Sequence, residues 1–168
     1  FGSYTDMQGS FFTRMIGLLK RRGIRLPLLS FAYLAAIFDK EGHHVEYRTD
    51  TDFGADLVLV ASSVVGCSEE IEAISEIKRK GSTRVGVIGT FSSVVPEPYL
   101  KVCDFVIRGE PEDVTIQIAG GLAPHGILES KAIENLDSLP YPKWDIFPVN
   151  DYSYYPVLKR KPFITIQT

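Results

Sequence analysis

Apolar residues recur along this chain in two rhythms, one helical and one of strands. Between Pro27 and Glu41, Phe31, Leu34, Ala35 and Phe38 return at helical spacing, with Pro27 suited to a first turn and Gly42 to a stop. His44 to Arg48 then alternates polar and apolar residues, which predicts a strand with one wet face. Ala55 to Ala61, centred on Leu57-Val58-Leu59-Val60, is almost continuously apolar and predicts a strand buried on both faces of a parallel sheet. A helix follows over Ser68 to Lys80. Glu69 and Glu70 occupy its first turn, Lys78-Arg79-Lys80 its last, Ile71, Ile74 and Ile77 its apolar stripe, and Gly81 its end. That charge order complements the helix dipole.

The same reading continues down the chain. Arg84 to Ile88 is a buried strand, and Gly89 opens the loop after it. Pro96 to Val102 is a short helix and Asp104 to Arg108 a further strand. Pro111 begins a helix that Gly120-Gly121 closes, and Ile127-Leu128-Glu129 is an edge strand. Near the start, Phe11 to Leu19 reads as a short helix ended by Lys20-Arg21-Arg22 and Gly23. Strands that alternate with helices build a parallel sheet covered on its faces. The expectation is therefore an α/β, Rossmann/flavodoxin-like open sheet, mainly parallel, with helices on both faces, over residues 1–135.

Beyond it the pattern breaks. Pro140, Pro142 and Pro148 disfavour regular structure, while Trp144, Phe147, Tyr152, Tyr154 and Tyr155 add aromatic mass. Residues 136–160 are expected to form a semi-rigid connector that packs by Trp144 and Phe147 onto a neighbouring surface. Residues 161–168 alternate like a strand, and a chain that opens on Phe1 and closes on such a run reads as a fragment of a longer protein.

Composition narrows the function. The net charge of -3 and the two short basic runs give no basic face for nucleic acid. No stretch approaches the ~20 apolar residues of a membrane span. Cys67 and Cys103, far apart, make neither a disulfide framework nor a metal site by spacing, which suits a reducing cytosol. His43 and His44 are adjacent, and adjacent strand residues point to opposite faces, so they do not form a ligand pair. No nucleophile elbow, Walker lysine or G-x-G-x-x-G is present, so no catalytic residue is assigned.

What remains is the rim of the sheet. In open parallel sheets ligands sit off the carboxyl ends of the strands. Ser62, Ser63 and Val64 follow the first buried strand, Gly89, Thr90 and Phe91 the next, and Gly109 and Glu110 the next. These eight residues are the candidate binding positions. Gly89 either lets a bulky ligand approach the backbone or only turns the chain, and Glu110 either faces a ligand or caps the helix after Pro111.

Taken in order, the motifs resemble a known family. They are P-L-x-x-x-x-Y-L-A-A-x-x-x-x-x-G-H-x-V from Pro27 to Val45, the strand end Ala61-Ser62-Ser63, and G-x-x-x-x-x-x-P-E from Gly89 to Glu97. D-x-V-I-R-G-E-x-E from Asp104 to Glu112 and L-D-S-L-P-x-P-x-W-D-x-F-P from Leu136 to Pro148 complete the set. The set resembles the N-terminal cobalamin-binding-type domain of radical S-adenosylmethionine enzymes. The resemblance implies that the candidate positions line a cobalamin crevice, with the Ser hydroxyls and backbone N–H groups on the cofactor. It implies that Lys161 to Thr168 starts the enzyme's own barrel, the domain's partner, whose 4Fe-4S cluster and S-adenosylmethionine lie outside this chain. Three features depart from the family. No convincing first strand precedes Arg25, no D-x-H-x-x-G motif is present, and the usual Gly-Gly is Gly89-Thr90. A degenerate domain that binds nothing and shapes the barrel's mouth is the alternative. A receiver-like or nucleotide-binding regulatory domain is a third, though it lacks the expected acidic cluster and phosphate-binding glycines.

Overall fold

In a computed structural model, residues 24–25, 28–52, 54–154 and 161–164 are described. The elements run β1 (Ile24–Arg25), α1 (Leu29–Lys40), β2 (Leu57–Ala61), α2 (Cys67–Lys80) and β3 (Arg84–Ile88). After them come α3 (Thr90–Val94), α4 (Glu97–Leu100), β4 (Phe105–Arg108), α5 (Glu112–Ala119) and β5 (Gly126–Glu129). A 3-10 turn (Leu136–Ser138) and β6 (Ser153–Tyr154) complete the order. The helix expected over Phe11 to Leu19 lies outside the described residues, as do Pro27 and residues 165–168. Lys161 to Ile164 are not in a strand.

Strands β2, β3, β4 and β5 form one sheet in that order, every pairing parallel. This is the open α/β architecture that the alternation predicted. Side-chain parity sorts the strands onto two faces. Val58, Val60, Val85, Val87 and Val106 turn toward Ile74 and Ile77 of α2. Leu57, Leu59, Ile88, Phe105, Ile107 and Leu128 turn toward Leu34 and Ile37 of α1 and Val114 and Ile118 of α5. The amino edge is pinned by Asp104. Its carboxylate accepts from Lys78 Nζ at 2.8 and 3.0 Å and from the Val85 N–H at 2.7 Å, joining α2, β3 and β4.

Two strand expectations change. The Leu57–Ala61 run was read as buried on both faces, yet all five of its residues are only half-buried. It lies at the sheet's edge, with β3 as its one neighbour among the described residues. Residues 43–48 are in no ladder. The alternation is still obeyed, with Val45 and Tyr47 turned inward and His44, Glu46 and Arg48 exposed. Alternating polarity therefore reports one-sided burial here, and a ladder also needs a strand alongside.

The connector packs on α1. Phe147 and Tyr152 are buried against Ala32 and Ala35, with Trp144, Val45 and Tyr47 around them. Trp144 meets Phe147 edge-on at 5.8 Å between ring centroids, and Tyr47 lies 4.7 Å from the Phe147 ring. The Lys143 N–H donates to the Ala32 carbonyl at 2.9 Å, and its ammonium sits 3.3 Å from both Asp39 and Asp145. Small alanines on one face of α1 leave room for these rings. None of the described helices is long and apolar enough to cross a membrane.

Candidate binding crevice at the strand ends

Parallel register brings Ala61, Ile88 and Arg108 to one edge of the sheet, and the loops that follow them meet there. The meeting is made by serines. Ser62 Oγ donates to Ser92 Oγ at 2.9 Å and accepts from the Ser92 N–H at 3.0 Å. Ser93 Oγ donates to the Gly89 carbonyl at 2.8 Å and accepts from the Gly109 N–H at 3.2 Å. Arg108 Nε donates to the Ser93 carbonyl at 3.0 Å, and its NH1 pairs with Glu129 Oε1 at 2.8 Å. One polar seam thus crosses the ends of β2, β3, β4 and β5.

Gly89 belongs to this seam for a steric reason. Its φ of +122° is a conformation that L side chains rarely adopt, and a Cβ there would lie 2.7 Å from Ser62 Oγ. The bare glycine lets the β2 and β3 loops touch each other, so internal packing alone requires it.

A second cluster lies under the β2 loop. Glu70, only 2 % exposed, accepts from the Ser63 N–H at 3.1 Å, Ser63 Oγ at 2.7 Å and the Tyr99 hydroxyl at 2.5 Å. Ser63 Oγ also accepts from the Gly66 N–H at 2.9 Å. Burial, then the Glu70 carboxylate that it faces, pushes the Tyr99 hydroxyl well above its ordinary range. Burial also raises the carboxyl of Glu112, and Glu110 nearby adds to the shift.

The eight sequence candidates therefore divide. Ser62, Ser63, Gly89 and Gly109 are drawn together, but their polar atoms serve the protein itself. Val64 (73 % exposed), Thr90 and Glu110 face solvent. Thr90 and Phe91 were expected in a loop and instead start α3. Phe91 turns into the α2-side core, 6.2 Å from Tyr99 edge-on, so it is a packing residue. Glu110 does not cap α5, whose cap position is Pro111 with no side-chain hydrogen bond. Sequence reasoning missed Ser92, Ser93 and Glu70, and gave Arg108, at a strand's carboxyl end, no role. Hydroxyls three and four residues beyond a strand-end glycine were the available signal for the two serines. A lone helical Glu carries no such signal.

The histidines do not converge. His43 Nε2 lies 2.9 Å from the Ala119 carbonyl at the end of α5, and His44 Nε2 lies 3.1 Å from Glu46. Among the described residues no three His, Cys, Asp or Glu side chains could hold a metal ion. A depression of about 410 Å³ lies at the opposite edge, between Thr51, Asp56, Lys80 and Thr83. It is open, and its cation Lys80 already pairs with Glu76 at 3.0 Å. The strand-end face is the better candidate, because there three separate loops converge. No protein-family model, curated protein or solved structure matches the chain.

Proposed function

We propose that this chain is the N-terminal α/β domain of a radical S-adenosylmethionine enzyme, working in a reducing cytosol where Cys67 and Cys103 stay free thiols. Its strand-end crevice binds cobalamin, or holds the substrate, and presents it to the barrel that follows. The observation that carries the proposal is the serine seam, which joins three loops at the carboxyl edge and leaves Val64, Thr90 and Glu110 facing outward. The ordered sequence motifs supply the family.

A cobalamin here would be held by the outward-facing Val64, Val65 and Thr90, because the Ser62, Ser63 and Ser93 hydroxyls already serve internal hydrogen bonds. When bound, cobalamin supplies a cobalt centre that can carry a methyl group. The part of this chain is to seat and orient it: Val64 and Val65 (73 % and 55 % exposed) give apolar contact, and Thr90 gives an exposed hydroxyl. The iron-sulfur cluster and S-adenosylmethionine belong to the barrel. The internal use of the Ser62, Ser63 and Ser93 hydroxyls, with Phe91 in the core, favours a second reading: a domain that binds nothing and shapes the barrel's mouth.

Hydroxocobalamin titration separates the two. Retained corrin absorbance that is lost in Thr90→Trp or Val64→Trp supports the binding domain. A folded protein that retains none belongs to the structural reading. Gly89 is unsuitable for this test, since its substitution strains the seam itself. Parentage has its own check: coding sequence beyond Thr168 that lacks a Cys-x-x-x-Cys-x-x-Cys run refutes it.

A further inference from the structure

Glu70 stands out as a buried carboxylate that no cation approaches within ion-pair distance among the described residues. A polar side chain removed from water needs hydrogen bonds in place of its hydration. Here the donors come from two separate segments, Ser63 in the loop after β2 and Tyr99 in α4. The Ser63 hydroxyl bonded to Glu70 also receives the Gly66 N–H, so the loop's two ends close on one another through the same side chain. One residue upstream the bonding changes character. The Ser62 N–H donates to the Ile88 carbonyl at 2.7 Å, continuing the β2–β3 pairing.

We propose that Glu70 is the positioning residue of the crevice wall, a buried latch that holds the loop Ser63–Gly66 in place and whose breaking frees that loop as one unit while the sheet stays paired. The boundary falls between Ser62, held by the sheet, and Ser63, held by the carboxylate. Val64 and Val65, at the loop's exposed tip, owe their position to this latch. A ligand that rests on them binds the latched form and tightens it. That last statement rests on the crevice reading, whereas the latch itself does not.

Amide hydrogen exchange on the ligand-free chain tests the latch. In Glu70→Gln an NH₂ replaces one acceptor oxygen, and the Ser63 and Gly66 amides exchange at least about tenfold faster, a factor worth about 1.4 kcal/mol. The Ser62 and Val87 amides keep their protection. Unchanged exchange at Ser63 and Gly66, or equal acceleration at Val87 and Val106, overturns the proposal. Ser63→Ala is the second variant should Glu70→Gln fail to fold. It removes the acceptor of the Gly66 N–H, so Gly66 accelerates and Ser62 does not, and any other pattern overturns the proposal. Hydroxocobalamin is then added to wild type. Slower exchange at Ser63 and Gly66, absent in Glu70→Gln, ties the latch to the ligand. No response in wild type, with the ligand-free boundary intact, removes cobalamin from the crevice and leaves the latch standing.

Discussion

Replacing Gly86 by alanine sets two physical expectations against each other. A glycine inside a strand costs conformational entropy, so Gly→Ala at a compatible site stabilises by roughly 0.4–1 kcal/mol. Gly86 sits mid-way along β3 and is not among the glycines with positive φ, so backbone reasoning alone predicts a gain. The structure predicts the reverse. Gly86 pairs directly with Phe105 across the sheet, and the Phe105 ring lies over it on the α1–α5 face. A Cβ would overlap the ring at Cζ and Cε2 and lie 2.8 Å from Cε1. Phe105 is fully buried, so the ring has no solvent to move into. Overpacking of a filled core costs about 1–3 kcal/mol, and the upper end applies where a ring must be displaced. The net expectation is a loss of about 2–3 kcal/mol. Urea unfolding followed by far-UV circular dichroism measures it as a lower midpoint at constant slope. Phe105→Leu in the Gly86→Ala background should restore part of the loss, with a coupling of about 1–2 kcal/mol between the two sites. A Gly86→Ala variant as stable as wild type, or additive losses in the double variant, would refute the packing account.

Four further outcomes follow from named contacts. Thr115 is fully buried and its hydroxyl has no hydrogen-bond partner among the described residues, so Thr115→Val should stabilise by about 1 kcal/mol in the same urea assay. Burial, and then the Asp104 carboxylate, raises the Cys103 thiol to about 11. At pH 8 about one Cys103 in a thousand is then thiolate, and iodoacetamide should label Cys67→Ser protein very slowly until the pH nears that value. Burial opposes the Asp104 charge, but Lys78 and the Val85 N–H outweigh it and hold its carboxyl below the ordinary 3.8. The lowered folded value makes this stabilisation complete above the ordinary value and lost as pH falls below it, so Asp104→Asn should flatten the acid limb of a thermal melt below about pH 4. Phe147→Ala should cost about 3 kcal/mol and shift Trp144 emission to the red, because Phe147 is the buried centre of the connector's packing on α1.

The sequence by itself determined the elements and their class. Helical spacing, apolar strand runs and stop glycines placed α1, α2, α5 and the four sheet strands to within a few residues, because these depend on short-range periodicity that each segment carries alone. It also placed Ser62, Gly89 and Gly109 at one edge, since parallel topology sends every strand's carboxyl end the same way. Contacts between distant segments were decided only by the tertiary structure. Strand β2 reads as central yet lies at the edge of the described sheet, because apolar composition does not say how many neighbours a strand has. His44 to Arg48 read as a strand yet are in no ladder, because alternation records burial and not pairing. Phe91 and Gly89 looked like crevice residues. One turned into the core and the other was required by Ser62, a contact across 27 positions of sequence that no local pattern encodes. Glu70 was legible only as a first-turn acid. Its burial beneath Ser63 and Tyr99 exists because β2, α2 and α4 pack together.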